Sequence, residues 1–382
     1  MLAPAPYIAR IGAYIVGRHL RGVKRYPLVM MLEPLFRCNL ACKGCGKIDY
    51  PDSILNQRLS YEQCMAAVDE CGTPIVSIAG GEPLLHRDMP RIVRGFLDRK
   101  KYVILCTNAL LLKKKIDDYK PHKGFTWSIH LDGDLGMHDQ AVSQDGVYDI
   151  AVDAIRLAKS RGFSVSINCT LFNGADPARV ATFLDTVKAL GVDGITVSPG
   201  YSYERAPDQD SFLNRTMTKQ LFRGILARGR GGKEWPFRQS RAFLNFLAGN
   251  EAYKCTPWAM PARTVFGWQR PCYLLGEGYV DTFSELMDGT DWDQYGVGNY
   301  EKCQDCMVHC GFEGSAVKDI VRHPIKAVML SLKGVRTEGP MAKDIPLDKQ
   351  RRAKDVFSLN VDAHLGRMEK AGNKVDGRVE VH

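Results

Sequence analysis

From about residue 28 onward, short apolar runs alternate with longer stretches whose apolar residues recur every three or four positions. The runs at 28–35, 75–79, 102–107, 125–131, 163–171 and 195–198 are rich in aliphatic and aromatic residues and predict strands. Between them, helices are expected to begin near Ser60, Asp88, Ala109, Val147, Asp176 and Thr216. Six strand–helix units in succession argue for an α/β fold on a parallel sheet, because a parallel neighbour needs a crossover and a helix supplies it. In such folds the loops at the carboxyl ends of the strands carry the chemistry, so the residues just after each run are the first place to look.

Before the first strand, Tyr7, Ile8, Ile11, Tyr14 and Ile15 fall at helical spacing beside Arg10, Arg18, Arg21, Lys24 and Arg25, which predicts a basic amphipathic helix within 1–27. The segment is far short of the ~20 apolar residues that span a bilayer. It either docks on the body of the protein or lies on a membrane surface. After the sixth unit the composition changes, with Gly, Arg and Lys at 229–236 leading into a stretch rich in Trp, Cys and Gly. The expected division is a core domain over 28–230, a Cys-rich domain over 231–322 and a polar tail over 323–382.

The net charge of +9 over 382 residues, with no basic block interleaved with aromatics, argues for a basic surface and against a nucleic-acid partner. Twelve cysteines without a secretory signal point to reduced thiols and metal ligands in the cytoplasm rather than to disulfides. Cys38, Cys42 and Cys45 lie within eight residues of one another. An iron-sulfur cubane normally takes four thiolates, so a set of three leaves one iron open for chemistry. Zinc is the alternative, but it asks for four ligands and usually pairs Cys-X2-Cys with a second such pair.

With its Cys-X3-Cys-X2-Cys spacing, the chain resembles the radical S-adenosylmethionine (SAM) superfamily. The resemblance implies a radical SAM partial (β/α)6 barrel with a C-terminal Cys-rich auxiliary domain of the SPASM/twitch kind. It also implies a 4Fe-4S cluster on Cys38, Cys42 and Cys45, SAM bound to the open iron, and reductive cleavage of SAM to a 5′-deoxyadenosyl radical. An aromatic residue usually precedes the third cysteine, and here Gly44 stands in its place. Gly80-Gly81-Glu82-Pro83 follows the second run and looks like the superfamily's GGEP segment, which meets the amino group of SAM. Glycines at that point let backbone come close to a ligand. Thr107-Asn108 closes the third run where the superfamily has Thr-Asn-Gly, with Ala109 replacing the glycine. Ser128, His130 and Asp132 share one face of the fourth strand by alternation, with His138-Asp139 following. By resemblance these residues, with Asn108 and Asn168, face the ribose and carboxylate of SAM. For each of them a satisfied polar group at a strand end is the alternative.

A second group, Cys303, Cys306 and Cys310, is preceded by Cys255 and Cys272. Five thiols in a segment with little apolar core suit a metal. A second iron-sulfur cluster, zinc and free thiols all stay open, and His309 stands where it could compete as a ligand. The segments at 195–203, 255–258 and 268–273 further resemble the adenosylhopane synthases of hopanoid biosynthesis. In that family the deoxyadenosyl radical adds to the terminal alkene of diploptene, a membrane-derived triterpene. The resemblance implies an electron donor such as flavodoxin or ferredoxin, and a cytoplasmic enzyme peripheral to the inner membrane. The adduct radical must gain a hydrogen atom, and a thiol is the natural donor. Cys106, with the strand parity of Asn108, is the first candidate and Cys169 the second, small buried hydrophobes being the alternative. Tyr201, Tyr203, Trp258, Phe266 and Trp268 are candidate walls of an apolar pocket, or core. The alternative function is a peptide-modifying or dehydrogenating radical SAM enzyme with an auxiliary cluster.

Overall fold

The computed structural model describes residues 5–46, 50–202, 206 and 208–353. Tyr203 and the stretch 354–382 of the expected tail lie outside them. The expected strands form as β1 (Val29–Leu32), β2 (Ile75–Ile78), β3 (Tyr102–Thr107), β4 (Phe125–His130), β5 (Ser164–Leu171) and β6 (Gly194–Pro199). They lie side by side in chain order and all pair in parallel. The crossovers are α2 (Asp52–Leu55) with α3 (Tyr61–Cys71), then α4 (Met89–Asp98), α5 (Leu112–Lys115), α6 (Leu135–Val142) with α7 (Val147–Ser160), and α8 (Pro177–Ala189). The first helix of the chain, α1 (Ala5–Leu20), precedes the sheet, and α9 (Arg215–Arg228) and α10 (Arg241–Leu247) follow β6. Side chains at the residues chosen as starts bond the first turns: Ser60 accepts from Gln63 in a capping box, and Asp176 accepts from Arg179.

The Cys-rich region is not a separate sheet. Strands β7 (Ala262–Thr264), β8 (Gly267–Cys272) and β9 (Leu275–Val280) continue the first one, β7 pairing in parallel with β1 and the other two folding back antiparallel. The result is an open nine-stranded sheet in the order β6-β5-β4-β3-β2-β1-β7-β8-β9. After it come α11 (Phe283–Gly289), α12 (His309–Arg322) and α13 (Pro324–Lys333). The polar tail expected from residue 323 therefore begins with a helix. Pro324 supplies its first turn, where the missing N–H costs nothing, and four apolar residues at helical spacing follow.

Helix α1 docks against the amino ends of β2 and β3. The Tyr7 and Tyr102 rings meet edge to face at 5.4 Å, Tyr14 donates to the Pro27 carbonyl at 2.8 Å, and Arg10 reaches the Lys100 carbonyl at 3.4 Å. It thus sits at the end of the sheet opposite the strand ends that carry the candidate chemistry. A cavity of about 360 Å³ between α1 and residues 72–74 and 99–101 completes that contact. Among the described residues, no helix is long and apolar enough to cross a membrane.

Candidate active site

Alternation along the strands gives the sheet one face of fully buried side chains and one of partly exposed ones. In β2, β3 and β5 the partly exposed set includes Ser77, Ile104, Cys106, Asn168 and Thr170. Register places Cys106 opposite Ser128 and His130 opposite Asn168. At the carboxyl ends of these strands, four loops converge on the Cys38–Cys45 segment.

The glycines at 80 and 81 serve that segment directly. Gly81 and Glu82 donate their backbone N–H groups to the carbonyls of Leu35 and Arg37, at 3.0 and 2.9 Å. A Cβ on Gly80 would lie 2.4 Å from the Leu35 oxygen, and one on Gly81 would lie 2.1 Å from the Arg37 oxygen. The close approach expected toward a ligand is thus an approach to the chain just before Cys38, and Gly80 takes φ +114 to make it. Glu82 is likewise committed. Its carboxylate accepts from the Leu84 N–H at 2.9 Å, the Thr107 hydroxyl at 3.0 Å and the Asn108 N–H at 2.8 Å. These bonds tie the turn, which continues through Pro83, to the end of β3. Burial nevertheless pushes the Glu82 carboxyl up to about 7, against the lowering by its three donors.

Asn108 carries the tie on to the cysteines. Its amide donates to Asn39 Oδ1 at 2.8 Å and lies 3.8 Å from Cys38 Sγ. From β4, His130 Nε2 meets Asp132 Oδ2 at 2.6 Å, and Asp132 Oδ1 accepts from the Thr170 N–H at 2.6 Å. The Asp132 N–H donates to His138 Nδ1 at 3.1 Å, so the proton of this neutral ring is on Nε2, which is buried and has no partner. Burial holds His138 down at about 4. Asp139 accepts from the N–H groups of Gly146 and Tyr148 and fixes the start of α7, a structural task.

The three early thiols are half-buried and sense one another. Burial raises Cys38 to about 11 and Cys42 further, with Cys45 adding to both, Glu82 to the first and Asp132 to the second. The apolar side of their loop packs on Leu40, Val142 and Val147. Neutral thiols gathered on one loop release protons when they take a metal.

Cys106 lies on the partly exposed face of β3. Its Sγ lies 3.9 Å from Ser77 Oγ, Ser128 lies on its other side, and burial raises its thiol to about 11. The sulfur keeps its hydrogen at neutral pH. Cys169, by contrast, is fully buried in the apolar core, which removes it as a donor.

The late thiols also come together. Cys255 senses Cys272, Cys303, Cys306 and Cys310, and its sulfur lies against the first turn of α12, 2.8 Å from where a Cβ on Gly311 would be. His309 Nδ1 is engaged by Ser198 Oγ at 2.9 Å, and burial keeps the ring neutral, at about 4. Tyr201, expected as a pocket wall, instead reaches this group: its hydroxyl bonds the Lys302 carbonyl, and the nearby thiols help raise it. Trp268 and Phe266 are core as well, Trp268 donating to Glu70 and Phe266 packing on Phe36 and Tyr50. Trp258 is half-buried under Arg25 and beside Trp292. Among the described residues, no three His, Cys, Asp or Glu side chains close to the tight grouping of a single metal ion.

Sequence reasoning missed Asn39, Ser77 and Phe172. Phe172 follows β5, and its ring carbons lie 2.9 and 3.0 Å from where a Cβ on Gly44 would be, with Phe212 alongside at 6.2 Å. The signal was present, an aromatic residue directly after a predicted strand.

The model of the radical SAM superfamily matches residues 32–187, the stretch that holds all of this first site. Residues 32–187 are a radical SAM domain. The cofactors of that domain are a 4Fe-4S cluster and SAM, and the residues present fit them: three mutually sensing thiols on one loop, with polar strand ends converging on it. Residues 195–330 match a domain of unknown function, DUF3463. Curated relatives include GTP 3′,8-cyclase 1 of Mycobacterium tuberculosis, 26% identical over 50% of this chain and 54% of its own length. Another is pre-heme d1 synthase of Dinoroseobacter shibae, 24% identical over 70% of this chain and 69% of its own. The chain spans about half the length of the first of these relatives. Among solved structures, SuiB of Streptococcus suis shares the fold at a TM-score of 0.58 and 15% identity, over 81% of this chain and 77% of its own.

Proposed function

We propose that this radical SAM protein transfers the adenosyl group of SAM to the terminal alkene of an apolar polycyclic substrate of the diploptene class, giving adenosylhopane. The observation that carries this reading is the Cys106 thiol, held protonated between Ser77 and Ser128 on the partly exposed face of β3. Cys38, Cys42 and Cys45 would hold a cluster that, reduced by a flavodoxin or ferredoxin, would supply the electron for cleaving SAM.

The chain's own residues do the rest. Asn108, Ser128, His130, Asp132 and Asn168 orient SAM, and Glu82 with Gly80, Gly81 and Pro83 holds the cysteine loop against them. His138 presents an unpartnered N–H beside Asp132, suited to an anionic group. Forming the bond from C5′ to the terminal CH2 consumes the π bond and leaves a tertiary carbon radical. Cys106 gives that carbon a hydrogen atom, since the S–H bond is weaker than the C–H bond formed. One electron from the reductant and a proton from solvent then return the sulfur to a thiol. The reading keeps the protein in the cytoplasm, where such a reductant is found.

A second reading rests on the late thiols. If Cys255, Cys272, Cys303, Cys306 and Cys310 hold an iron-sulfur cluster, it offers an acceptor for an electron released by substrate, as a dehydrogenating or peptide-modifying enzyme needs. Relatives bearing other names, and SuiB, solved with its precursor peptide SuiA, favour this alternative. Anaerobic turnover with reductant, SAM and diploptene in detergent separates the two. An adenosine-linked triterpene supports addition, and free 5′-deoxyadenosine as the sole product overturns it.

A further inference from the structure

A helix on the surface of a folded protein normally turns its apolar side inward. Helix α13 does the opposite. None of its ten residues is buried, and Ile325, Val328, Met329 and Leu332 are 76, 57, 49 and 69% exposed. Their spacing of i, i+3, i+4 and i+7 puts all four within an arc of about 100° on one side of the helix. Val321, on the last turn of α12, adds a fifth exposed apolar side chain at 62%. The inward side carries half-buried Lys326, Ala327 and Leu330, with Leu330 packed on the core and the helix against α10.

The exposed charges along this stretch are basic, while Lys326 on the inward side is paired with Glu251 and Asp319. Lys318, Arg322, Lys333 and Arg336 are exposed. Asp319 is the only acid between residues 314 and 337, and it is already bonded to Lys326 and Tyr253. Apolar residues in one arc, rimmed by unopposed cations, are complementary to an anionic bilayer surface, where the apolar side chains enter the headgroup boundary and the cations meet lipid phosphates.

We propose that α13, with the end of α12, is a membrane-docking face that seats the protein on anionic lipid. The assignment rests on this surface and not on which substrate the enzyme takes. It also moves the membrane contact away from α1, whose Tyr7 and Tyr14 are spent on docking to the sheet.

The test is co-sedimentation of the full chain with vesicles of phosphatidylcholine alone and of phosphatidylcholine mixed with phosphatidylglycerol. Wild type should pellet with the anionic vesicles and be released by salt. Ile325→Glu/Leu332→Glu should weaken that binding at least about tenfold, while Val16→Glu/Leu20→Glu on α1 should leave it unchanged. All four positions are exposed, so iron content and thermal unfolding should match wild type in both variants. Equal binding by the α13 variant overturns the proposal, as does wild type that pellets with neither vesicle. A wild-type dimer that the α13 variant converts to monomer would instead assign the face to a second copy of the chain.

Discussion

Gly44 and Phe172 make a pair that can be exchanged. Gly44 has none of the positive φ that reserves a position for glycine, so its backbone tolerates a side chain. What excludes one is the Phe172 ring, 2.9 Å from the first atom that would be added. Gly44→Phe should therefore overpack the loop beside Cys45 and cost about 1–3 kcal/mol. Phe172→Ala removes a half-buried ring, for which about 1–2 kcal/mol is reasonable when a fully buried one costs ~3–5 kcal/mol. If the two rings compete for one space, the double variant recovers most of both losses, a coupling of about 1–3 kcal/mol. Three measurements read it: denaturant unfolding, iron bound per chain after reconstitution, and SAM affinity by calorimetry. Each single variant should lose on all three, and the double variant should approach wild type. Additive losses, or a Gly44→Phe variant that loads iron and SAM like wild type, would refute the argument that Phe172 supplies the aromatic wall beside the third cysteine.

Four further outcomes follow from the geometry. Cys106→Ala should leave SAM cleavage intact but reduce the saturated adduct or scramble its stereochemistry, read by chiral analysis of the product. Ala109 occupies the left-handed region at φ 71, so Ala109→Gly should stabilise the protein by about 0.5–1 kcal/mol in denaturant titration, without change in SAM affinity. Glu313, like Glu82, is raised to about 7 by burial, from 4.5. A folded pKa above the unfolded one gives stability that is complete below pH 4.5 and is lost as pH rises through about 7, so wild type should melt lower at pH 8 than at pH 6. Glu313→Gln should flatten that slope by at most about 3 kcal/mol. Cys272→Ser, measured as iron per chain after reconstitution, should lower the content if the late thiols hold a cluster and leave it unchanged if they are free.

The parallel half of the fold was legible because at least one face of each strand is buried, which leaves short apolar-rich runs between amphipathic helical stretches. Tyr102–Thr107 is met residue for residue, and Ser60, Asp88 and Asp176 sit where helices start. Near Ala109 the helix begins three residues later than expected. Left-handed backbone there delays the helix, which then runs only from Leu112 to Lys115. Strands β7 to β9 escaped notice because β7 has three residues and β8 and β9 contain glycine or proline, so period and propensity gave no warning. The early cysteines were readable because their contacts are local. The five late cysteines were grouped from their shared Cys-rich segment, but that β8 and α12 bring Cys255 and Cys272 against Cys303, Cys306 and Cys310 is recorded by no spacing along the chain.

These same contacts link the two cysteine groups. Phe172 packs on Gly44 at the early loop and on Gly200, just past β6, where an added Cβ would lie 2.7 Å from its ring. The next residue, Tyr201, bonds the Lys302 carbonyl beside Cys303. Ser198, two residues before Gly200, holds His309 beside Cys310. A metal on the late thiols would therefore draw on the β6 end and, through Phe172, on the wall of the early loop. If that coupling is real, Cys272→Ser should weaken SAM binding even in protein whose early cluster is fully loaded, and Phe172→Ala should abolish the linkage. Unchanged SAM affinity in Cys272→Ser would mean that the two groups share a sheet edge without sharing energy.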